Sequence, residues 1–288
     1  LLNFPNNYLK LNDFIFGLVV GSNFALYLIF SKLNGNHLIR RGVFMIYKAK
    51  KGQTSYGEAI GIILMESFMP FPPGCPGNAT TFSFPVRYAN VKGANMEKLV
   101  YQGDPALLKP FIDAGWDLVN EGVKAVTGNC GFMVLYHDVM AKEFPVPVFM
   151  SSLLQLPFIS RMLKPGEKIG IITASSKTLT QKHLQIATNG ADIPLAIAGM
   201  EDQKHFYDAI HAEVGELDFD GVEAEVVQVT KNLIEKEENI KAILFECTDL
   251  PPYAAATQEA VGLPVFDFTT MINYVYSGLV RKRFEGFC

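Results

Sequence analysis

Two cysteines in this chain stand in matching chemical settings. Cys130 closes the run Val126-Thr127-Gly128-Asn129-Cys130, with Gly131 and Phe132 after it, and Cys247 closes Ile243-Leu244-Phe245-Glu246-Cys247, with Thr248, Asp249, Leu250, Pro251, Pro252 and Tyr253 after it. Each follows a short apolar run of strand type. In an open parallel sheet that position is the carboxyl edge, where helix N-termini and free backbone amides converge on ligands. The positive end of a following helix lowers a thiol pKa and raises its thiolate fraction, so both sulfurs are expected to be reactive. A single strand-end cysteine is explained well enough as core filling, because free cysteine is among the most buried residue types. Packing does not require the same placement twice. Two matched groups on opposite faces of one small molecule can instead remove and return a proton at a carbon centre.

The elements that must position these sulfurs alternate between short β-rich runs and longer amphipathic stretches, the pattern of an α/β protein. Ala59–Met65 reads as a buried first strand, and 105–124 as a helix with apolar residues at helical period. A short strand over 125–127 leads to Cys130, a helix is predicted over 132–142, a strand over 147–150 and a short helix over 153–162. The polar turn Lys164-Pro165-Gly166-Glu167 marks an internal boundary, after which the pattern restarts with a strand over 168–173. Ser175, Ser176, Lys177 and Thr178 offer caps for the next helix. Strand 193–198, helices 203–212 and 221–237 and strand 241–245 follow, the last delivering Cys247. The chain therefore reads as two pseudo-symmetric α/β lobes with parallel sheets flanked by helices. Residues 45–164, completed by 265–288, form the first lobe and 165–264 the second.

Composition excludes several classes. With 288 residues, 49% hydrophobic, 19% charged and a net charge of −4, the chain is a globular protein with scattered basic residues and no phosphate-tracking stripe, so no nucleic-acid partner is expected. Cys75, Cys130, Cys247 and Cys288 share no short ligand spacing, which argues against a metal site, and four thiols do not make a disulfide scaffold. A reducing cytoplasm is the expected setting. Residues 1–44 stand apart: Phe14–Phe30 is apolar, 17 residues long and interrupted by Gly17, Gly21, Ser22 and Asn23. A membrane partner is expected only if this segment is an anchor; the alternative is a start upstream of the true one, with Met45 opening the domain.

From about Ala59 to its end the chain resembles the cofactor-independent aspartate/glutamate racemase superfamily, which also holds hydantoin racemases and maleate isomerases. The resemblance rests on Gly128-Asn129-Cys130-Gly131 and, more closely, on Glu246-Cys247-Thr248-Asp249. It implies a two-lobed fold with one cysteine ending a strand in each lobe, and a racemase that uses Cys130 and Cys247 as the acid/base pair for α-proton transfer. No cofactor and no metal are implied, since no residue pattern nominates a Schiff-base lysine. Backbone amides after each cysteine, with Asn129, Gly131 and Thr248, are expected to hold the carboxylate of a small substrate such as an amino acid or hydantoin. Two departures tell against glutamate: Gly131 stands where the family commonly has Asn, and Asp249 where glutamate racemases have His. Alternatives are a maleate-type isomerase or a decarboxylase of the same fold, or a two-lobed protein that only binds a small carboxylate.

Other residues carry weaker signals. Asn78, Thr80 and Thr81, in the loop after the first strand, offer hydrogen bonds to substrate or serve the loop itself. Ser175 and Ser176 offer donors to an anion at a helix N-terminus. Cys75 in the same Pro/Gly-rich loop as Asn78 is a plain loop thiol on the simpler reading, and His137 a packing residue. Paired lobes suggest a homodimer without fixing an interface.

Overall fold

The computed structural model describes residues 48–287, together with the strands β1 (Leu9–Leu11), β2 (Phe14–Val20) and β3 (Leu26–Lys32). The chain divides into two compact units, residues 1–51 and 52–288. In the first, β1, β2 and β3 pair antiparallel in that order. Of the apolar segment Phe14–Phe30, for which a membrane anchor is one of two readings, the described residues lie in β2 and β3. Among the described residues no helix is long and apolar enough to cross a membrane.

The second unit carries two parallel sheets. One has the order β5-β4-β6, from β4 (Ile60–Met65), β5 (Val86–Val91) and β6 (Ala125–Gly128). The other has the order β10-β9-β7-β8, from β7 (Lys168–Thr173), β8 (Leu195–Gly199), β9 (Ile240–Phe245) and β10 (Val265–Phe266). This is the α/β architecture of parallel, helix-flanked sheets that the alternating pattern predicts. Central strands β4, β6, β7 and β9 are buried along almost their whole length, which is why they read as continuous apolar runs.

Helix α1 (Leu108–Asn120) turns Phe111, Ala114, Leu118 and Val119 to the core. Its Leu118 packs so closely on Gly61 of β4 that a side chain there would have to displace it. Helices α2 (His137–Glu143) and α3 (Leu156–Ser160) each continue a 3₁₀ turn, Gly131–Tyr136 and Ser152–Gln155. Around the second sheet lie α4 (Gln181–Thr188), the short α5 (Lys204–Phe206), α6 (Phe219–Lys236) and α7 (Ala254–Val261). Helix α8 (Phe268–Leu279) starts at Asp267, whose carboxylate accepts the Thr270 N–H at 2.7 Å. It then packs Phe268, Met271 and Ile272 against Ile60, Ile62 and Ala125 of the first sheet, although β10 just before it pairs with the second.

Three local expectations change. Residues 147–150 make one parallel bridge, Val148 to Val126, instead of a strand. The loop after β4 contains a strand, β5, whose mostly half-exposed residues hide the signal. Helix α4 is capped at Thr180, whose N–H donates to His183 Nδ1 at 3.1 Å, and not at residues 175–178.

Candidate active site

Both cysteine-bearing strand ends open on one cavity. At the end of β6 the Asn129 N–H donates to the Ile63 carbonyl (3.0 Å), and Asn129 Oδ1 accepts the Met65 N–H (2.9 Å), which fixes this loop to β4. Across the cleft, Thr248 Oγ1 donates to the Asn129 carbonyl at 2.6 Å. Ser152 Oγ donates to the Phe245 carbonyl (2.8 Å), tying the end of β9 to the 3₁₀ turn Ser152–Gln155. Cys130, Cys247, Asn129, Thr248, Glu246 and Asp249 line the cavity, with an apolar wall that includes Met65, Met69, Phe71, Met96 and Phe132. No lysine, arginine or histidine is among these lining residues.

The electrostatics reverse one expectation. Burial pushes both thiols well above the usual thiol range; Glu246 adds to this at Cys130, and Asp249 followed by Glu246 at Cys247. The backbone N–H groups of Phe132 and Met133 at the start of the 3₁₀ turn favour the Cys130 thiolate, as a helix start should, but they are outweighed. Both sulfurs are therefore held toward the neutral thiol. Asp249 is itself raised to about 6 by burial, and Glu246 to about 7. The Asp249 carboxylate sits between two sulfurs, with Cys247 Sγ at 3.5 Å and Cys75 Sγ at 3.8 Å. The cavity therefore offers two sulfurs and a carboxylate that titrates near neutrality as proton carriers, in apolar surroundings with no fixed cation.

No protein-family model matches the chain. The dimethylsulfoniopropionate lyase of Durusdinium sp. clade D is 31% identical over 229 residues, which cover 77% of this chain and 75% of that protein. The chain belongs to the dimethylsulfoniopropionate lyase family. Dimethylsulfoniopropionate lyase 3 of Emiliania huxleyi (strain CCMP1516) is 32% identical over 232 residues, and the match covers 77% of this chain but only 60% of that relative's length. Among solved structures, the aspartate racemase of Picrophilus torridus superposes with a TM-score of 0.54 at 15% identity, over 80% of this chain and 96% of that one. A mutant arylmalonate decarboxylase in a sulfate-associated form gives 0.53 at 14% identity, over 79% and 96%. These place this member of the lyase family in the Asp/Glu racemase-like fold. The relatives by sequence are lyases, where the paired cysteines had pointed to an isomerase.

Not every residue singled out in this family member reaches the cavity. Asn78 caps a 3₁₀ turn: its Oδ1 accepts the Thr80 N–H (2.9 Å) and hydroxyl (2.6 Å), while Nδ2 donates to the Phe71 carbonyl. Thr81 Oγ1 donates to the Cys75 carbonyl at 2.7 Å. These three side chains hold the loop that carries Cys75 and do not line the cavity. Ser175 is buried but is not among the lining residues, and Ser176 is engaged by Glu201, its hydroxyl donating at 2.6 Å. Gly131 is not a lining residue either; a Cβ on it would collide with the Glu246 carboxyl and carbonyl oxygens, so glycine is what lets the two cysteine loops close on each other. Glu246 and Asp249 are the residues that sequence reasoning noted, one in the cysteine motif and the other as a departure from the family pattern, without placing either in the site. The available signal was an ionisable side chain continuing a buried strand, since an acid is rarely buried without a role or a partner.

Proposed function

We propose that the protein is a lyase that removes the α-proton of a small β-substituted carboxylate and expels the β-substituent, with dimethylsulfoniopropionate as the first candidate substrate. The observation that carries this is a cavity in which two sulfurs face two carboxyl groups and no cation. Such a site suits a guest with a cationic end and disfavours a dicarboxylate such as aspartate or glutamate.

Cys247 acts as the base, passing its thiol proton to Asp249. Deprotonating a buried thiol is uphill without a positive charge beside it. A sulfonium about 4 Å from the sulfur contributes about 4 kcal/mol at an effective dielectric of about 20, enough to bring a raised thiol toward neutrality. The substrate thus supplies part of its own activation. The Cys247 thiolate takes the α-proton, the C–H electron pair becomes the Cα–Cβ double bond, and the Cβ–S pair leaves with sulfur. Dimethyl sulfide and acrylate are the products, and the proton remains on Cys247 until solvent removes it. Methionine and aromatic walls fit the methyl groups of the leaving sulfide.

The second sulfur favours another reading, two-base racemisation of a small carboxylate, with Cys130 returning the proton to the opposite face. Gas chromatography of headspace separates the two. Wild type incubated with dimethylsulfoniopropionate should release dimethyl sulfide, and Cys247→Ser should lower that release at least about a hundredfold, the scale of losing a general base. Solvent-deuterium exchange into chiral amino acids or hydantoins, without release of sulfide, would decide for the racemase.

A further inference from the structure

Glu246 lines the cavity, and the chemistry above leaves it unused. It is completely buried. Its Oε2 accepts the Thr173 hydroxyl at 2.8 Å and the backbone N–H of Ala174, both at the carboxyl end of β7. Its Oε1 is buried with no hydrogen-bond partner. That oxygen rests against the Cα of Gly131, one residue beyond Cys130. An ionised carboxylate would leave a charged oxygen there without a donor, whereas the neutral acid places its proton on the oxygen that accepts nothing. The groups facing it are Cys130 from the β6 side, Cys247 and Asp249 from its own strand end, and the uncharged Thr173 and Ala174 from β7. None is a cation. The arrangement is a buried carboxyl oxygen without a partner, on a residue that lines a cavity with no arginine or lysine among its lining residues to receive an anion.

We propose that Glu246, as the neutral acid, donates a hydrogen bond from Oε1 to the substrate's carboxylate and so forms the carboxylate subsite. This rests on the reading of the site as one that acts beside a carboxylate. As the α-proton leaves, negative charge builds on the carboxylate oxygens, and a donor aimed there strengthens its bond in the transition state. The same hydrogen bond explains how an acidic cavity admits an anionic group at all.

Propanoate tests this, because it carries the carboxylate and no leaving group. Titration calorimetry on the full chain at pH 6 and pH 8 should show wild-type affinity falling about tenfold, following the protonated fraction of a group that titrates near 7. Glu246→Gln, which puts an amide donor where the acid stood and cannot ionise, should bind propanoate at pH 8 about as tightly as wild type does at pH 6. Asp249→Asn should keep the fall. A wild-type affinity that stays level or tightens with pH would overturn the proposal, as would a folded Glu246→Gln, verified by its melting transition, that shows the same fall or binds no propanoate. Since propanoate does not turn over, absence of lyase activity with this binding pattern intact would sink the lyase reading alone.

Discussion

A carboxyl group kept neutral in a dry cavity lowers stability wherever the unfolded chain would ionise it. Glu246 is raised from its ordinary value of 4.5 to about 7 by burial, against the opposing hydrogen bonds from Thr173 and Ala174. The sign follows from linkage: the folded protein holds the proton more tightly, so the stability it confers is fully present below the unfolded value and is lost as pH rises through the folded one. Wild type should therefore lose up to about 3 kcal/mol between pH 4.5 and pH 8 from this residue. Urea denaturation of wild type and Glu246→Gln at both pH values checks it, with the variant expected to be the more stable at pH 8 and the difference to vanish at pH 4.5. The sulfurs obey the same physics. Burial first, and then the neighbouring Glu246 and Asp249, hold both thiols toward the protonated form.

At the scale of elements, the ends of β6 and β9 are held in register by one side chain. Thr248 reaches from the second cysteine loop to the Asn129 carbonyl, and both residues are buried. Thr248→Val keeps the shape and removes the donor, leaving that carbonyl unsatisfied; it should cost about 1–3 kcal/mol of stability and lower turnover more than substrate affinity. Denaturant melts and steady-state kinetics of the variant read both. Much of this layer was legible in the chain itself. Strands β4, β6, β7 and β9 announce themselves as apolar runs, and they deliver Cys130 and Cys247 to one cavity. Strand β5 was not legible, because its residues are half-exposed and lie among prolines and glycines. The protonation state of the thiols was hidden for a different reason. A helix start is visible in sequence, but the burial and the Glu246 and Asp249 carboxyls that outweigh it are assembled only when the ends of β6 and β9 come together in the fold.

For the molecule as a whole, the fold is shared with an aspartate racemase and an arylmalonate decarboxylase, so architecture by itself selects no reaction. What narrows the choice is the charge of the cavity together with kinship to the dimethylsulfoniopropionate lyases. Elimination and racemisation share their first step, removal of a proton next to a carboxylate, and part only in what the resulting electron pair does next. The central claim is that first step. The most direct measurement compares dimethylsulfoniopropionate deuterated at the α-carbon with the unlabelled compound as substrates for the full chain, following dimethyl sulfide release and the identity and mass of the three-carbon product. The account predicts slower release from the labelled substrate and acrylate that has lost one of its two α-deuterons. Equal rates, with both α-deuterons retained in a saturated three-carbon acid or in a propanoate group left attached to a cysteine, would show that the Cβ–S bond breaks by displacement and not by α-proton removal.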